Sequence, residues 1–256
     1  MLGTDLAADV RWALDPVCFA REALSFTPDD WQQKALRWSG RRLQLNCCRQ
    51  SGKSTTAAIL GLHRALFYPG SLVLLVSPSL RQSSELFRKV SDALQRLEVQ
   101  PRLIEDNRLS LTLSNSSRIV SLPSSENTVR GFSGAALIVI DEASRVPDDL
   151  YYAVRPMLAV SGGRLILMST PFGKRGFYFK EWSEGGEGWE RIEIKGTQCP
   201  RIPPAFLAEE RASLGDFFFR QEYFCEFMDS ITSMFDYATV MSALSADIQP
   251  LFPVRG

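Results

Sequence analysis

Three short runs in this chain are apolar almost throughout: SLVLLVSP (71–78), ALIVIDEA (136–143) and GRLILMSTP (163–171). A strand with one wet face alternates apolar and polar side chains. A run without that alternation is buried on both faces, the situation of a parallel sheet covered by helices. RLQLNC (42–47) is a fourth, shorter strand ahead of them. Helical patterns fall between. KSTTAAILGLHRALF (53–67) reads as a helix stopped by Pro69-Gly70. Ser79 and Gln82 form a capping box for a helix to about Leu97, with Leu86, Phe87, Val90, Leu94 and Leu97 on one face. Strand, loop, helix, strand, helix, strand predicts an α/β fold: a mostly parallel central sheet with helices on both faces.

The remaining segments fill in around that sheet. Residues 5–25 read as one or two short helices broken at Asp15-Pro16, and TPDDWQQKALRW (27–38) as a helix capped by Thr27. RLSLTL and RIVSL, split by SNSS, predict a hairpin. WERIEI (189–194) reads as an edge strand, and the stretch to about Phe227 as helical and aromatic-rich.

Composition narrows the chemistry. The 29 basic and 29 acidic side chains balance, which argues against a polybasic tail while leaving room for a local basic strip. His63 is the single histidine, so a His-based triad and a His-rich metal site are excluded. The five cysteines (18, 47, 48, 199 and 225) show no C-x-x-C spacing, so neither a zinc site nor a disulfide framework is indicated, and a reduced, cytosolic setting is the simplest reading. No stretch approaches the roughly 20 apolar residues that span a bilayer, and MLGTDLAADVRW lacks signal-peptide character.

In such sheets ligands bind at the carboxyl ends of the strands, and polar motifs sit at three of them. The first is NCCRQSGKST (46–55). A strand-to-helix loop of this kind turns backbone N–H groups and a helix dipole toward an anion. Gly52 lets the backbone approach phosphate, Lys53 reaches the β- and γ-phosphates, and Ser54 ligates Mg²⁺. Gln50, Ser51 and Thr55 complete the candidate loop contacts. Cys47 replaces the first glycine of the usual pattern, which is tolerable if its φ stays negative. Arg49 places a second cation beside Lys53, facing the charge that builds up in phosphoryl transfer. The second motif is Asp141-Glu142 after four apolar residues, the Walker B form: Asp141 for the metal, Glu142 as general base on a water. The third is Ser169-Thr170-Pro171, which also has the form of an ordinary turn before proline.

The ordered set DDWQQKAL, CCRQSGKSTTA, VRGFSGAALIVIDEAS, LILMSTPFGKRGFYFKEW and FRQEYFCEFMD resembles the large terminase subunit of tailed bacteriophages over about residues 27 to 229. The resemblance implies a RecA-like P-loop NTPase of the additional-strand, catalytic-glutamate (ASCE) class, with ATP and Mg²⁺ as cofactors. A loop lacking its first glycine is usual in that family. Gln32 matches the adenine-sensing glutamine, Lys53 and Ser54 the triphosphate and Mg²⁺ ligands, Asp141 and Glu142 the Walker B pair, Ser169 and Thr170 the coupling motif, and Arg49 the loop arginine. Arg130 is the candidate arginine finger reaching a neighbouring subunit, with Arg145, Arg155 and Arg175 as rivals.

The resemblance further implies a motor that packages double-stranded DNA, gripping its phosphates without sequence preference. Its partners would be a homo-oligomeric ring on a capsid portal and a small terminase subunit, in the cytoplasm of an infected bacterial host, with no membrane. Residues 1–229 are expected to form the ATPase domain, including N-terminal helices in 1–40, and 230–256 a hinge toward an absent nuclease domain, so nuclease activity is not expected. Two other readings share these motifs: a superfamily 2 helicase-like ATPase and a nucleotide-dependent switch module without motor action.

Overall fold

The computed structural model describes residues 5–124, 129, 131–229 and 241. The predicted α/β architecture is present as one sheet in the order β3-β4-β5-β2-β6-β7-β1-β8. Its strands are β1 (Arg42–Cys47), β2 (Leu72–Ser77), β3 (Leu103–Asn107), β4 (Ser110–Leu113), β5 (Arg118–Pro123), β6 (Leu137–Asp141), β7 (Arg164–Ser169) and β8 (Glu190–Ile194). Strands β5, β2, β6, β7, β1 and β8 run parallel. β3 and β4 add an antiparallel margin.

Alternate residues of the apolar runs go to opposite faces, as the pleat dictates. Val73 and Leu75 of β2 join Val139 and Ile166 in one core. Leu74 and Val76 join Ile138, Ile140, Leu165 and Leu167 in the other. Helices α3 (Asp30–Leu36), α4 (Lys53–Phe67) and α5 (Leu80–Gln95) cover the first face. The second is covered by α6 (Asp148–Val154) and α7 (Gly176–Glu184), through Tyr151, Phe177 and Tyr178. A third, smaller cluster packs α8 (Pro204–Phe224) under the β1–α4 loop through Cys48, Cys199, Ile202, Phe219 and Tyr223. Helix α8 is interrupted at Gly215, whose φ is +72°.

The break foreseen at Asp15-Pro16 separates α1 (Leu6–Leu14) from α2 (Pro16–Cys18), which continues as a π-helical turn over Phe19–Ala23. Asp15 is extended, as a residue before proline must be, and its carboxylate accepts from the Val17 N–H at 2.9 Å. Three expectations need amending. The N-cap of α3 is Asp29, not Thr27: Gln32 closes the box back onto the Asp29 N–H. The Ser79–Gln82 cap is not reciprocal through the backbone, because Ser79 Oγ donates to the Gln82 side chain and accepts its N–H. The predicted hairpin forms as β4–β5, but β3 extends it by a mostly exposed strand that shows no apolar alternation in the sequence. WERIEI is an edge strand as predicted, paired parallel to β1. The supposed hinge at 230–256 lies outside the described residues except for Met241.

Candidate nucleotide site

Sheet register aligns the three motifs. Asn46 of β1 pairs with Ser169 of β7, and Met168 of β7 pairs with Asp141 of β6. β7 therefore stands between the loop-bearing strand and the acid-bearing strand, with its polar end level with both. Tyr178 holds the β1 and β7 ends together: its buried hydroxyl lies 2.9 Å from the Leu45 carbonyl and 3.2 Å from that of Ser169.

The loop from Cys48 to Gly52 leads directly into α4. Gln50 and Gly52 both take positive φ, +60° and +91°. A side chain on Gly52 would place its Cβ 2.9 Å from Gln32 Nε2 and 3.2 Å from Arg201 Nη2, so conformation and space both call for glycine. Cys47 is not among the residues with positive φ, and its side chain is fully buried at the end of β1. A thiol can thus stand where the usual loop has glycine. Burial pushes the Cys47 and Cys48 thiols up to about 12, so both are inert side chains here.

Lys53 opens α4 and is only 9% exposed. Its Nζ lies 3.1 Å from Glu142 Oε1. Burial acts to lower the Lys53 pKa, but the Glu142 and Asp141 carboxylates outweigh it and the value is raised, so the ammonium stays charged. Glu142 sits in the left-handed region at φ +49°, a costly position for a non-glycine residue. That turn aims its carboxylate back across β7. Asp141 is buried, and its carboxyl is raised to about 6 by burial, partly offset by Lys53 and reinforced by Glu142. Its Oδ2 accepts from Ser54 Oγ at 3.4 Å, and its Oδ1 from the Glu142 N–H at 2.9 Å.

Among the described residues no cluster of three or more His, Cys, Asp or Glu forms a metal cage. Asp141 and Ser54 instead offer two hard oxygen donors side by side. That set suits Mg²⁺, which binds through one or two carboxylates plus substrate phosphates.

Ser169 and Thr170 are connected to the acids through a residue the sequence reading passed over. Ser144, two positions past Glu142, donates to the Thr170 carbonyl at 2.8 Å and lies 2.7 Å from Ser169 Oγ. Ser169 Oγ also lies 3.4 Å from Glu142 Oε2. The two hydroxyls have two protons for three contacts, to Glu142, to the Thr170 carbonyl and between themselves, so at most two of these bonds form at once.

Gln32 touches the loop, but its amide is engaged: Oε1 accepts the Asp29 N–H, and Nε2 donates to Thr56 Oγ1 at 3.1 Å. Arg49 projects outward and pairs with Glu222 at 3.5 Å, while Arg145 approaches the same carboxylate at 3.7 Å. Arg145 and Arg175 both lie over the Phe172 ring, and Arg155 pairs with Glu181 at 3.9 Å. Arg130 lies outside the described residues.

Arg201 was missed altogether. It donates to the Ser51 carbonyl and pairs with Asp29 at 2.7 Å, fastening the loop to the start of α3. It comes from an irregular segment after β8 and has no spacing that sequence could flag. Glu222 and Ser144 stood inside quoted motifs, QEY and DEAS, but their partners appear only in the fold.

Sheet order, loop and strand-end acids define this chain as a P-loop NTPase fold with an additional strand between the phosphate-loop and acid-bearing strands. The chain also matches, over residues 45–240, the sequence profile described as terminase large subunit, T4likevirus-type, N-terminal. It belongs to that family. The large terminase subunit of Thermus phage G20c is 28% identical over 250 residues, covering 84% of this chain and 51% of that protein. This chain thus spans about half the length of the curated relatives it matches. The solved ATPase domain of the Thermus phage P74-26 large terminase superposes with a TM-score of 0.73 at 22% identity, covering 81% of this chain and 97% of that one. The large terminase of a thermophilic bacteriophage, solved in complex with ADP, superposes with a TM-score of 0.65 at 10% identity, over 78% of this chain and 53% of that one.

Proposed function

We propose that this chain is the ATP-hydrolysing motor domain of a DNA-packaging terminase, coupling hydrolysis to movement of double-stranded DNA into a procapsid. The observation that carries this reading is the convergence of Lys53, Ser54, Asp141 and Glu142 at neighbouring strand ends, with the polar end of β7 between them. The complex of the thermophilic-phage terminase with ADP supports a nucleotide ligand.

In this reading the triphosphate lies along the loop and the N-terminus of α4. Its phosphates compete with Glu142 for the Lys53 ammonium, and Glu142 is released to orient a water. Asp141 and Ser54 would hold Mg²⁺, which supplies charge neutralisation at the phosphates. Arg49 swings from Glu222 toward the same charge. Arg130 from a neighbouring subunit is the proposed finger, a kind of contribution worth about 10³–10⁵ in rate. Glu142, Ser169, Ser144 and the Thr170 carbonyl lie in one run of contacts that shares two hydroxyl protons, so a change at Glu142 redistributes the bonds that hold β7's end. The remaining partners are a homo-oligomeric ring on a portal protein, a small terminase subunit and DNA phosphates contacted without sequence preference, inside the infected host cell. DNA contacts of that kind weaken with salt.

The test is ATPase rate against protein concentration, with and without duplex DNA, beside the Glu142→Gln variant. The expected result is hydrolysis that rises faster than linearly with concentration, responds to DNA and falls at least a hundredfold in the variant. Nucleotide binding without turnover at any concentration would favour a switch module instead.

A further inference from the structure

The opposite edge of the sheet carries a cavity of about 400 Å³, built around the start of β7, the C-terminal part of α4 and the α1–α2 junction. Its walls include Arg37, Arg64, Arg164, His63, Trp38 and Tyr68. Arg37 is neutralised by Asp15 at 2.7 Å. The other two arginines have no acidic partner among the described residues. Arg64 lies over the Tyr68 ring at 4.1 Å, makes no ion pair among the described residues, and has a buried Nε without an acceptor. Arg164 makes one side-chain hydrogen bond, to the Trp38 carbonyl at 3.2 Å, and no ion pair among the described residues. Burial and the neighbouring Arg164 both lower the Arg64 pKa, so the two guanidinium groups repel across this space.

From this geometry we infer a second ligand site, for a phosphate-type oxyanion, held by Arg64 and Arg164 at the amino edge of the sheet. Two guanidinium forks offer more donors than one carboxylate can accept, and a tetrahedral oxyanion matches them. Arg64 is eleven residues along α4 from Lys53, about 16 Å at 1.5 Å per residue. The site is therefore separate from the phosphate loop. The oxyanion can be free phosphate or a phosphodiester of duplex DNA.

His63 is the sole histidine and lines the cavity, so its imidazole NMR signal reports this site and not the loop. Inorganic phosphate is titrated into the chain with MgADP present, at constant ionic strength and with acetate as control. The expected result is a saturable shift of the His63 signal and a rise of its pKa, both absent with acetate and lost in Arg64→Gln and Arg164→Gln. The Arg64 side chain makes no hydrogen bond among the described residues, so Arg64→Gln decides the matter even if Arg164→Gln fails to fold. No saturable shift, an equal response to acetate, or an unchanged response in Arg64→Gln overturns the site. A short duplex serves as the second arm. If it shifts His63 at a concentration at least tenfold below that of phosphate, the source is the DNA backbone; if only phosphate acts, the source is the free anion.

Discussion

The Lys53 ammonium and the Glu142 carboxylate lie 3.1 Å apart, reaching toward each other across the end of β7. The cation that should hold phosphate and the acid that should work on water are thus each other's partners. Replacing Glu142 by Gln keeps the size and removes the charge. Turnover should fall by about 10²–10⁴, the usual worth of a general base, while nucleotide affinity stays the same or rises because Lys53 is freed. Single-turnover hydrolysis and calorimetric titration measure the two separately. Wild-type turnover in this variant would remove Glu142 from the mechanism.

Arg49 is two-thirds exposed, and its ion pair with Glu222 is loose. Such surface pairs contribute about 0–1 kcal/mol. Arg49→Ala should therefore leave the thermal midpoint nearly unchanged. If the side chain acts on the γ-phosphate, kcat should fall at least tenfold with KM little altered. Equal kcat in the variant and the wild type would leave Arg49 as a surface residue only.

Gly52→Ala tests the loop itself. The φ of +91° strains any other residue by about 1–3 kcal/mol. The new methyl would also press on Gln32 and Arg201, so the loop has to move. Stability by urea unfolding should drop by about that amount, and ATP affinity should drop further than stability accounts for, because the amides facing phosphate shift. Unchanged nucleotide affinity would separate the loop from the ligand.

Much of this site was legible because strand-end chemistry and apolar runs are local signals. SLVLLVSP, ALIVIDEA and GRLILMSTP gave both the parallel sheet and the level at which Asp141 and Ser169 stand. The sheet order itself is a long-range property: nothing local says that β7 inserts between β1 and β6, and the resemblance alone implied it. β3 escaped because its exposed residues carry no alternation. Arg201 and Glu222 escaped because their roles arise from contacts of about 150 and 170 residues' separation, Arg201 with Ser51 and Glu222 with Arg49. Gln32 shows the converse. The resemblance implied a nucleotide-sensing role for it, while its contacts with Asp29 and Thr56 are visible only in three dimensions.

His63 gives a stability prediction with a defined sign. Burial lowers its pKa to about 4; the bond to the Trp12 carbonyl opposes this, and Arg64 and Arg164 add to it. The unfolded value is near 6.5. Between those values the unfolded chain binds the proton and the folded chain does not, so stability rises with pH. The contribution is complete above the unfolded value and lost as pH falls through the folded one, about 3 kcal/mol over the full interval. Asp141, raised in the fold, titrates with the opposite sign over part of this range. The comparison must therefore be a difference. Urea unfolding of the wild type and of His63→Gln, in phosphate-free buffer from pH 7.5 to pH 4.5, isolates the histidine. The stability of the wild type minus that of the variant should rise as pH goes from 4.5 to 7.5, and parallel curves would mean that His63 is not held neutral by the fold.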